Sequence, residues 1–410
     1  MATLSPEPQP PPKRSALVAY FLVFLVSAPW ILLRLTRFAT PEAIEQNSLL
    51  VAALAGVAIL GAAFLLAWAG EVAQLDISQA LALAFLAFVG VLPEYSVDMY
   101  FSWQAGKDPA YLDFPVANMT GANRLLIGVG WPAVLLVHWL KTRETRIELG
   151  AERSIEMGYL LLATLYSFVL PLKGTLHLYD ALVFIALFVG YMRAAGSAAH
   201  VEPELLGPAA LMATLGQGAR RLAVGLAFLY AGAVIFLSAE PFAEALVAAG
   251  SHYGVNQFLL VQWLAPLASE SPEFVVALLF VWKGFAGAGM GTLISSKVNQ
   301  WTLLVGLIPV VYSISLGVPT GLPLSVRQRD ELLLTSAQSL FAIAVMADLR
   351  MTWWEAGLLT SLFAIQFVFP GTAAHHAIAV GYVVLTGLLV LGSAERRSNL
   401  LRLLPRRRPR

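Results

Sequence analysis

Long apolar runs, separated by short polar segments, follow one another along almost the whole chain. Each run is long enough, or nearly so, for the roughly 20 helical residues that cross a bilayer. The pattern predicts twelve membrane-spanning helices, at residues 15–35, 48–70, 78–104, 113–139, 157–173, 177–194, 220–238, 255–282, 287–315, 328–347, 353–370 and 373–392.

The polar connection 195–219 is the longest between two runs, and we predict that it links two units of five spans each. Because five is odd, the second unit enters the membrane from the side opposite to the first, so the repeats are inverted. The predicted segments are a disordered tail (1–14), an extra helix and loop (15–47), the first repeat (48–194), the linker (195–219), the second repeat (220–370) and an extra helix with a basic tail (371–410).

Composition supports this all-α polytopic membrane class. The 410 residues are 58% hydrophobic and 12% charged, and that charged fraction is about half of what a soluble protein carries. The chain has no cysteine, which excludes disulfides and thiolate metal sites. We find neither a His-Glu-x-x-His nor a Gly-x-Ser-x-Gly motif, so the sequence gives no support to an intramembrane hydrolase, and we predict that the protein is not an enzyme.

Two of the predicted spans contain a proline followed by a glutamate, as Pro93-Glu94 and as Pro272-Glu273. A proline removes a backbone donor and breaks the helix at that depth. A carboxylate inside a membrane is costly unless it faces protein or water, so it marks a functional site. The two pairs lie at a constant offset, 273 − 94 = 179, which predicts that they occupy corresponding places in the two repeats.

Further polar residues accompany these pairs. Asp98 lies one helical turn after Glu94, and Glu270 one turn before Glu273. Either they complete an oxygen-rich cation site, or they form structural ion pairs, Asp98 with Arg124 and Glu270 with Lys297. A second stretch of polar residues follows in each half of the chain. From the acidic residues and these two later stretches we predict one cation-binding set: Glu94, Asp98, Asn118, Glu270, Glu273, Ser296, Lys297 and Gln300. Glu94 and Glu273 are the predicted metal ligands, because Ca²⁺ prefers carboxylate oxygens.

At these residues the chain resembles the sodium/calcium exchanger family of the cation/Ca²⁺ antiporter superfamily. The family's repeats carry Gly-Thr-Ser-x-Pro-Glu and then Gly-Ser-Asn-x-x-Asn. The first motif survives here as Pro93-Glu94 and Pro272-Glu273, and the second in part, as Ala117-Asn118 and Ser295-Ser296. The resemblance implies that the two glutamates bind Ca²⁺ and that neighbouring hydroxyls and amides form sodium sites.

The chain departs from the family pattern at several motif positions. The serine three residues before each glutamate becomes Val91 and Glu270, and the final asparagine becomes Gly121 and Gln300. The asparagine of Ser-Asn becomes Lys297 in the second repeat. An ammonium there can take the place of a bound monovalent cation, and a buried lysine can lose its proton. We therefore hypothesise that Lys297 replaces a sodium site and couples transport to protons.

The predicted function is secondary-active cation antiport by alternating access at a midplane carboxylate site. Ca²⁺ against Na⁺ is the assignment that the resemblance implies, and proton-coupled exchange of Na⁺ or Ca²⁺ is the alternative. A channel would be expected to repeat its filter about an axis along the membrane normal, which inverted repeats do not favour. No cofactor is expected beyond the transported Ca²⁺, Na⁺ or H⁺.

The distribution of positive charge predicts the orientation. With the N-terminus inside, 18 of the 26 Lys and Arg residues fall in inside segments and 6 in outside loops. We therefore predict cytoplasmic termini in a prokaryotic inner (plasma) membrane. The C-terminal arginines 406–410 are expected to contact anionic lipid rather than nucleic acid, and the sequence leaves the oligomeric state open.

Overall fold

The computed structural model describes residues 13–36, 40–76, 92–196, 205 and 207–403. Long helices dominate these ranges, as the apolar runs predict. Most of the predicted N-terminal tail, the C-terminal arginine run, linker residues 197–204 and 206, and the upstream half of the span 78–104 lie outside the described residues, and so do the predictions made for them.

The first helices run from the N-terminal side to the linker. Their bounds are α1 Lys13–Leu35, α2 Pro41–Gln46, α3 Ser48–Ala73, α4 Leu92–Ala105, α5 Phe114–Leu125, α6 Trp131–Thr142, α7 Ser154–Ser167, α8 Val169–Lys173 and α9 Leu178–Gly196. A π-helical turn, Leu126–Gly130, joins α5 to α6. Single 3₁₀ turns lie at Pro109–Tyr111 and Ala151–Arg153.

The remaining helices run from the linker to the C-terminal side. Their bounds are α10 Pro208–Ala213, α11 Gln217–Tyr253, α12 Gln257–Lys283, α13 Ala286–Asn299, α14 Val305–Leu316, α15 Val326–Val345, α16 Trp353–Val368, α17 Thr372–Gly392 and α18 Ala394–Leu403. A second π-helical turn, Gln300–Leu304, joins α13 to α14. A 3₁₀ turn, Met346–Asp348, follows α15.

Within the described ranges, nine helical segments are long and apolar enough to cross a membrane, and α12 makes a tenth when its two bent parts are counted as one span. The helix predicted at 353–370 is present as α16 but has only 16 residues. The span predicted at 220–238 is part of a longer helix, α11, which continues through the more polar residues after position 238 and ends at Tyr253. The all-α polytopic fold is therefore confirmed.

Four short strands establish that the two units are inverted. β1, Arg146–Glu148, pairs antiparallel with β4, Arg350–Thr352, and β2, Thr175–Leu176, pairs with β3, Leu322–Pro323. β1 follows the third span of its unit and β4 the fourth span of the other. Spans three and four end on opposite sides of a membrane, so these strands can meet only if the second unit is upside down relative to the first.

The two π-helical turns define a second correspondence between the units. They begin at Leu126 and Gln300, an offset of 300 − 126 = 174. The Pro-Glu pairs are offset by 179, so the stretch between pair and π-helical turn is longer by 179 − 174 = 5 residues in the first unit. The constant offset of 179 residues that the sequence suggests therefore does not hold for the residues after the loop that follows α4. The structure places Asn123, not Asn118, opposite Lys297.

The two units are in closest contact where α5 crosses α12. Gly121 of α5 lies against the backbone of Gln262, and a Cβ atom built on Gly121 would stand 1.8 Å from the Gln262 carbonyl oxygen. Real Cβ atoms do not approach an oxygen this closely, so only glycine allows this crossing. The packing of α5 against α12 therefore requires a glycine at position 121.

Gly121→Ala is expected to destabilise the protein by roughly 3 kcal/mol or more, because a methyl group placed against backbone forces the two helices apart. Thermal unfolding of the detergent-solubilised protein measures the effect. Gly225→Ala in α11 is the matched control, since nothing lies within 4 Å of a Cβ atom there. Equal melting temperatures for the two variants would contradict the close crossing.

A bidentate ion pair ties the end of α3 to the start of α11. The Arg220 guanidinium donates to both Asp76 carboxylate oxygens, at 2.7 and 2.8 Å, and Arg221 lies 3.4 Å from one of them. The hydrogen bonds from Arg220 lower the pKa of Asp76 to about 2. The first helices of the two units are therefore fixed to each other at this end.

Candidate functional site

The first acidic pair lies near the start of α4. Glu94 is in the first turn of the helix and Asp98 in the second, so both carboxyl groups lie on one side of it. Glu94 is 2% exposed and Asp98 is 0% exposed. Neighbouring residues of α4 belong to two different hydrophobic clusters, Tyr95 to one and Val97 to the other. The acidic pair is therefore enclosed between two packed cores.

The second acidic pair lies on α12, on either side of a break. This helix bends by 48° between Ser271 and Glu273, as expected where Pro272 supplies no backbone N–H. Glu270, just before the bend, is 2% exposed. Glu273, just after it, is half-buried as a residue, but its Oε2 atom is inaccessible to solvent. The predicted interruption of this segment is thus present.

The two units bring their carboxyl groups together. Glu94 of one unit lies close enough to Glu270 and Glu273 of the other, and to Asp98 on its own helix, for their charges to interact. Glu273 in turn interacts with Glu270. Glu94 is therefore near both acidic residues of α12, Glu270 as well as Glu273, the partner that the sequence pattern predicts.

Many polar atoms of this group have no hydrogen-bond partner among the described residues. They are both carboxylate oxygens of Glu94 and Asp98, both amide atoms of Asn118, and one oxygen each of Glu270, Glu273 and Gln300. Asn118 lies beside Asp98, but no hydrogen bond of acceptable geometry joins them. A buried acceptor without a partner is costly, and so many in one place form a site suited to a cation.

Two further predicted residues line the same site from α13 and the π-helical turn after it. The Gln300 amide donates to a Glu270 carboxylate oxygen and, at 3.2 Å, to the Ser296 hydroxyl. Both residues are buried. Gln300 therefore orients Glu270 while its own amide oxygen stays unpartnered.

Lys297 is fully buried and contacts the other unit. Its ammonium donates to the Asn123 side-chain oxygen at 2.9 Å and to the Asn123 backbone oxygen at 3.3 Å, and it lies 4.9 Å from the centre of the Trp301 ring. Its charge interacts with Glu270 and Glu94 at longer range. The direct ion pair considered for Lys297 and Glu270 is thus replaced by a lysine–asparagine contact between equivalent positions of the two units.

Asn123 is a site residue that the sequence reasoning missed. The signal was available, because Gly121-Ala122-Asn123 matches Ser295-Ser296-Lys297 at the offset of 174 and fits the family's Gly-Ser-Asn better than Ala117-Asn118 does. The match was missed because the sequence analysis applied one offset, 179 residues, to the whole of each repeat.

The ion pair considered for Asp98 and Arg124 is wrong. Arg124 instead lies 2.5 Å from Glu331 of α15, with both side chains buried. The sequence reasoning did not single out Glu331. Its signal was the number of polar residues in the span 328–347, among them Gln328, Asp330, Glu331 and Gln338.

Among the residues that the structure describes, no three His, Cys, Asp or Glu side chains form a ready metal-binding group. The four carboxylates therefore face one region without converging on one point. Binding of a Ca²⁺ ion, which takes six to eight oxygens, would require α4 and α12 to approach or would recruit the Asn118 and Gln300 amides.

Comparisons with known proteins agree with this architecture. The family model for the sodium/calcium exchanger protein matches residues 47–195 and 224–371. A crystal structure of the H⁺/Ca²⁺ exchanger CAX is 41% identical, covers 95% of this chain and 96% of its own, and superposes with a TM-score of 0.89. No protein of curated function matches this chain in sequence.

Two more distant structures share the fold. The Ca²⁺/H⁺ antiporter protein YfkE is 15% identical over 90% of this chain and 100% of its own, with a TM-score of 0.62. The sodium-calcium exchanger NCX_Mj is 16% identical over 79% of this chain and 98% of its own, with a TM-score of 0.52.

Proposed function

Because this chain belongs to the sodium/calcium exchanger protein family, we propose that this cation antiporter exchanges Ca²⁺ for protons at the site between α4 and α12. The observation that carries the proposal is the group of buried carboxylates from both units, Glu94 and Asp98 on α4 with Glu270 and Glu273 on α12, whose oxygens include several without a hydrogen-bond partner among the described residues. We assign Ca²⁺ binding to Glu94, Asp98, Glu270 and Glu273, with Asn118, Ser296 and Gln300 as neutral oxygen ligands.

Charge balance supports a proton as the counter-ion. Four ionised carboxylates beside one ammonium give a net charge of −3, and unpaired buried charge costs several kcal/mol per ion. A divalent cation reduces that charge, and so do protons bound to the carboxylates. Because both neutralise the same groups, Ca²⁺ and protons compete, and that competition is the basis of antiport.

Lys297 favours protons over sodium. Its ammonium stands at the position of a family asparagine, and an ammonium only donates hydrogen bonds, so this position offers no oxygen to coordinate a sodium ion. The relative that is 41% identical is described as an H⁺/Ca²⁺ exchanger. Sodium remains a second candidate, because the family model is that of sodium/calcium exchangers and the Asn118 amide and Ser296 hydroxyl are suitable ligands.

The test is Ca²⁺ uptake by purified protein in sealed proteoliposomes. A pH gradient imposed without sodium is expected to drive uptake, and a sodium gradient at equal pH on both sides is expected not to. The membrane potential is clamped with K⁺ and valinomycin in both cases. Uptake driven by sodium alone would replace H⁺ with Na⁺ as the counter-ion, and the absence of uptake under either gradient would refute Ca²⁺ exchange.

We further propose the topology that the charge distribution predicts, with both termini on the cytoplasmic face of a prokaryotic plasma membrane and the C-terminal arginines on anionic lipid. We also retain 48–194 and 220–370 as the two repeats, a division supported by the two matched ranges 47–195 and 224–371. α1 and α17 are then additions outside the ten-helix core.

A further inference from the structure

A hydrogen bond between the two units lies directly beside the carboxylate site. The Tyr95 hydroxyl of α4 donates to the side-chain oxygen of Asn299, the last residue of α13, at 3.0 Å. The two residues are 204 positions apart in the sequence, and both are buried, with 4% and 2% of their surface exposed. The bond therefore joins the helix that carries the first acidic pair to the other unit, inside the packed interior.

Each partner of this bond is the chain neighbour of a residue that we assign to the cation site. Tyr95 follows Glu94, and Asn299 precedes Gln300. The Gln300 amide donates in turn to a carboxylate oxygen of Glu270. Two hydrogen bonds and two peptide links thus connect a carboxylate of the first unit to a carboxylate of the second. The Tyr95 hydroxyl therefore helps to fix the spacing between them.

The bond is not repeated at the equivalent place in the inverted unit. Phe274 takes the place of Tyr95 at the offset of 179, and Leu125 takes the place of Asn299 at the offset of 174. Neither a phenyl ring nor a leucine side chain can donate or accept a hydrogen bond. The Phe274 ring instead packs so closely on Gly130 that a Cβ atom there would stand 2.5 Å from it. An apolar ring thus satisfies the packing at this position, so the Tyr95 hydroxyl serves another purpose.

A buried hydrogen bond restricts the position of a helix more than apolar contact does. Hydrophobic burial is non-directional, whereas a buried polar group that loses its partner destabilises the protein. α4 is therefore held at one position against the end of α13. Selectivity among divalent cations depends on the size and flexibility of the site and on the number of its ligands, so a fixed spacing between ligands favours an ion of one size.

We propose that Tyr95 is a positioning residue that, through Asn299, sets the spacing between the α4 carboxylates and the ligands of the second unit, and so selects Ca²⁺ over larger divalent cations. This inference rests on the proposed function, because it concerns the same cation site. Tyr95 acts through Asn299 and is not itself a ligand. Removing its hydroxyl leaves every assigned ligand in place but lets α4 shift against α13.

Calorimetric titration of the purified full-length protein with Ca²⁺ and, separately, with the larger ion Sr²⁺ tests this role. In Tyr95→Phe the Kd for Ca²⁺ is expected to rise by about tenfold, the effect of one buried hydrogen bond. The Kd for Sr²⁺ is expected to rise by less than about twofold, because a looser site still admits a larger ion. A merely structural role would weaken both ions alike, and an unchanged ratio of the two Kd values would overturn the proposal.

Tyr230→Phe is the matched control. It removes a hydroxyl that lies 2.8 Å from the Ser27 hydroxyl of α1, at a contact between helices outside the cation site. This variant is expected to bind both ions as the wild type does. A change in its Kd ratio as large as that of Tyr95→Phe would mean that selectivity does not depend on this particular bond, and would also overturn the proposal.

A double-mutant cycle with Asn299→Leu shows whether the effect passes through the bond. If it does, the double variant Tyr95→Phe/Asn299→Leu is expected to lose about as much Ca²⁺ affinity as the more affected of the two single variants, because partners in one hydrogen bond are not additive. Additive losses would contradict the proposal. Absence of Ca²⁺ binding by the wild type would refute the proposed function instead, whereas Ca²⁺ binding that every variant keeps unchanged would refute only the role of Tyr95.

Discussion

Glu94→Gln is expected to reduce Ca²⁺ exchange by about 10²–10³-fold while leaving the protein folded. Glutamine is nearly isosteric with glutamate but removes one of the four negative charges at the site, and losing one partner of a buried charge cluster costs about 3–5 kcal/mol. The effect is also expected to be specific to the carboxylate site, since Glu94 is buried close to acidic residues of the other unit. Initial rates of uptake in proteoliposomes, normalised to reconstituted protein, measure it.

Glu240→Gln is the matched control, because that glutamate is 57% exposed on α11 and pairs only at the surface with Arg34. It is expected to transport like the wild type. Calorimetric titration with Ca²⁺ shows whether an inactive variant has lost Ca²⁺ binding or the conformational change that moves the bound ion. If Glu94→Gln bound and transported Ca²⁺ as the wild type does, the cation site would have to lie elsewhere.

The acidic residues could be picked out from the sequence because charged residues are rare inside apolar membrane-spanning runs. Glu94, Asp98 and Glu270 stand out against apolar neighbours on both sides, and burial is the only environment that such a run allows. The same argument predicted the bend in α12, since a proline inside a span cannot continue the helix regularly. The odd number of spans per unit predicted the inversion that the strand pairs establish.

The sequence could not predict which charges pair, because pairing depends on how each helix is rotated and where helices cross. Arg124 is 207 positions from Glu331, and no local pattern relates them. Asp98 is closer to Arg124 in the sequence than Glu331 is, and it was therefore the partner considered for Arg124. The steric contact between Gly121 and Gln262 is of the same kind, since it exists only once α5 and α12 are packed.

Five extra residues between the Pro-Glu pair and the π-helical turn of the first unit explain the one error of register. A π-helical turn inserts a residue into the helix and rotates the side chains beyond it, and neither turn at 126–130 or 300–304 has a signature in composition. Both turns follow directly on the motif block, with Arg124 shortly before the first and Lys297 shortly before the second. Counting back from the turns, rather than forward from the prolines, brings Asn123 and Lys297 together across the two units.

Lys297→Asn is expected to change which cation drives Ca²⁺ transport, by at least about tenfold in the ratio of sodium-driven to proton-driven uptake. The substitution places an asparagine opposite Asn123, so two neutral amides from equivalent positions replace an ammonium. The ammonium, which has no acceptor atom for a cation, is removed, and an amide oxygen that can coordinate Na⁺ takes its place. Uptake measured under separate Na⁺ and pH gradients, at one clamped potential, gives the ratio.

Lys283→Asn makes the same chemical change at an exposed position at the end of α12 and is expected to leave the ratio unaltered. Unchanged ion and pH dependence in Lys297→Asn would mean that the Lys297–Asn123 contact is only a structural link between the units. A shift toward sodium would mean that the lysine acts as a tethered cation in place of a transported one. Proton coupling in this chain would then follow from one residue, because a lysine in place of the asparagine removes a sodium ligand and leaves Ca²⁺ and protons to compete for the carboxylates.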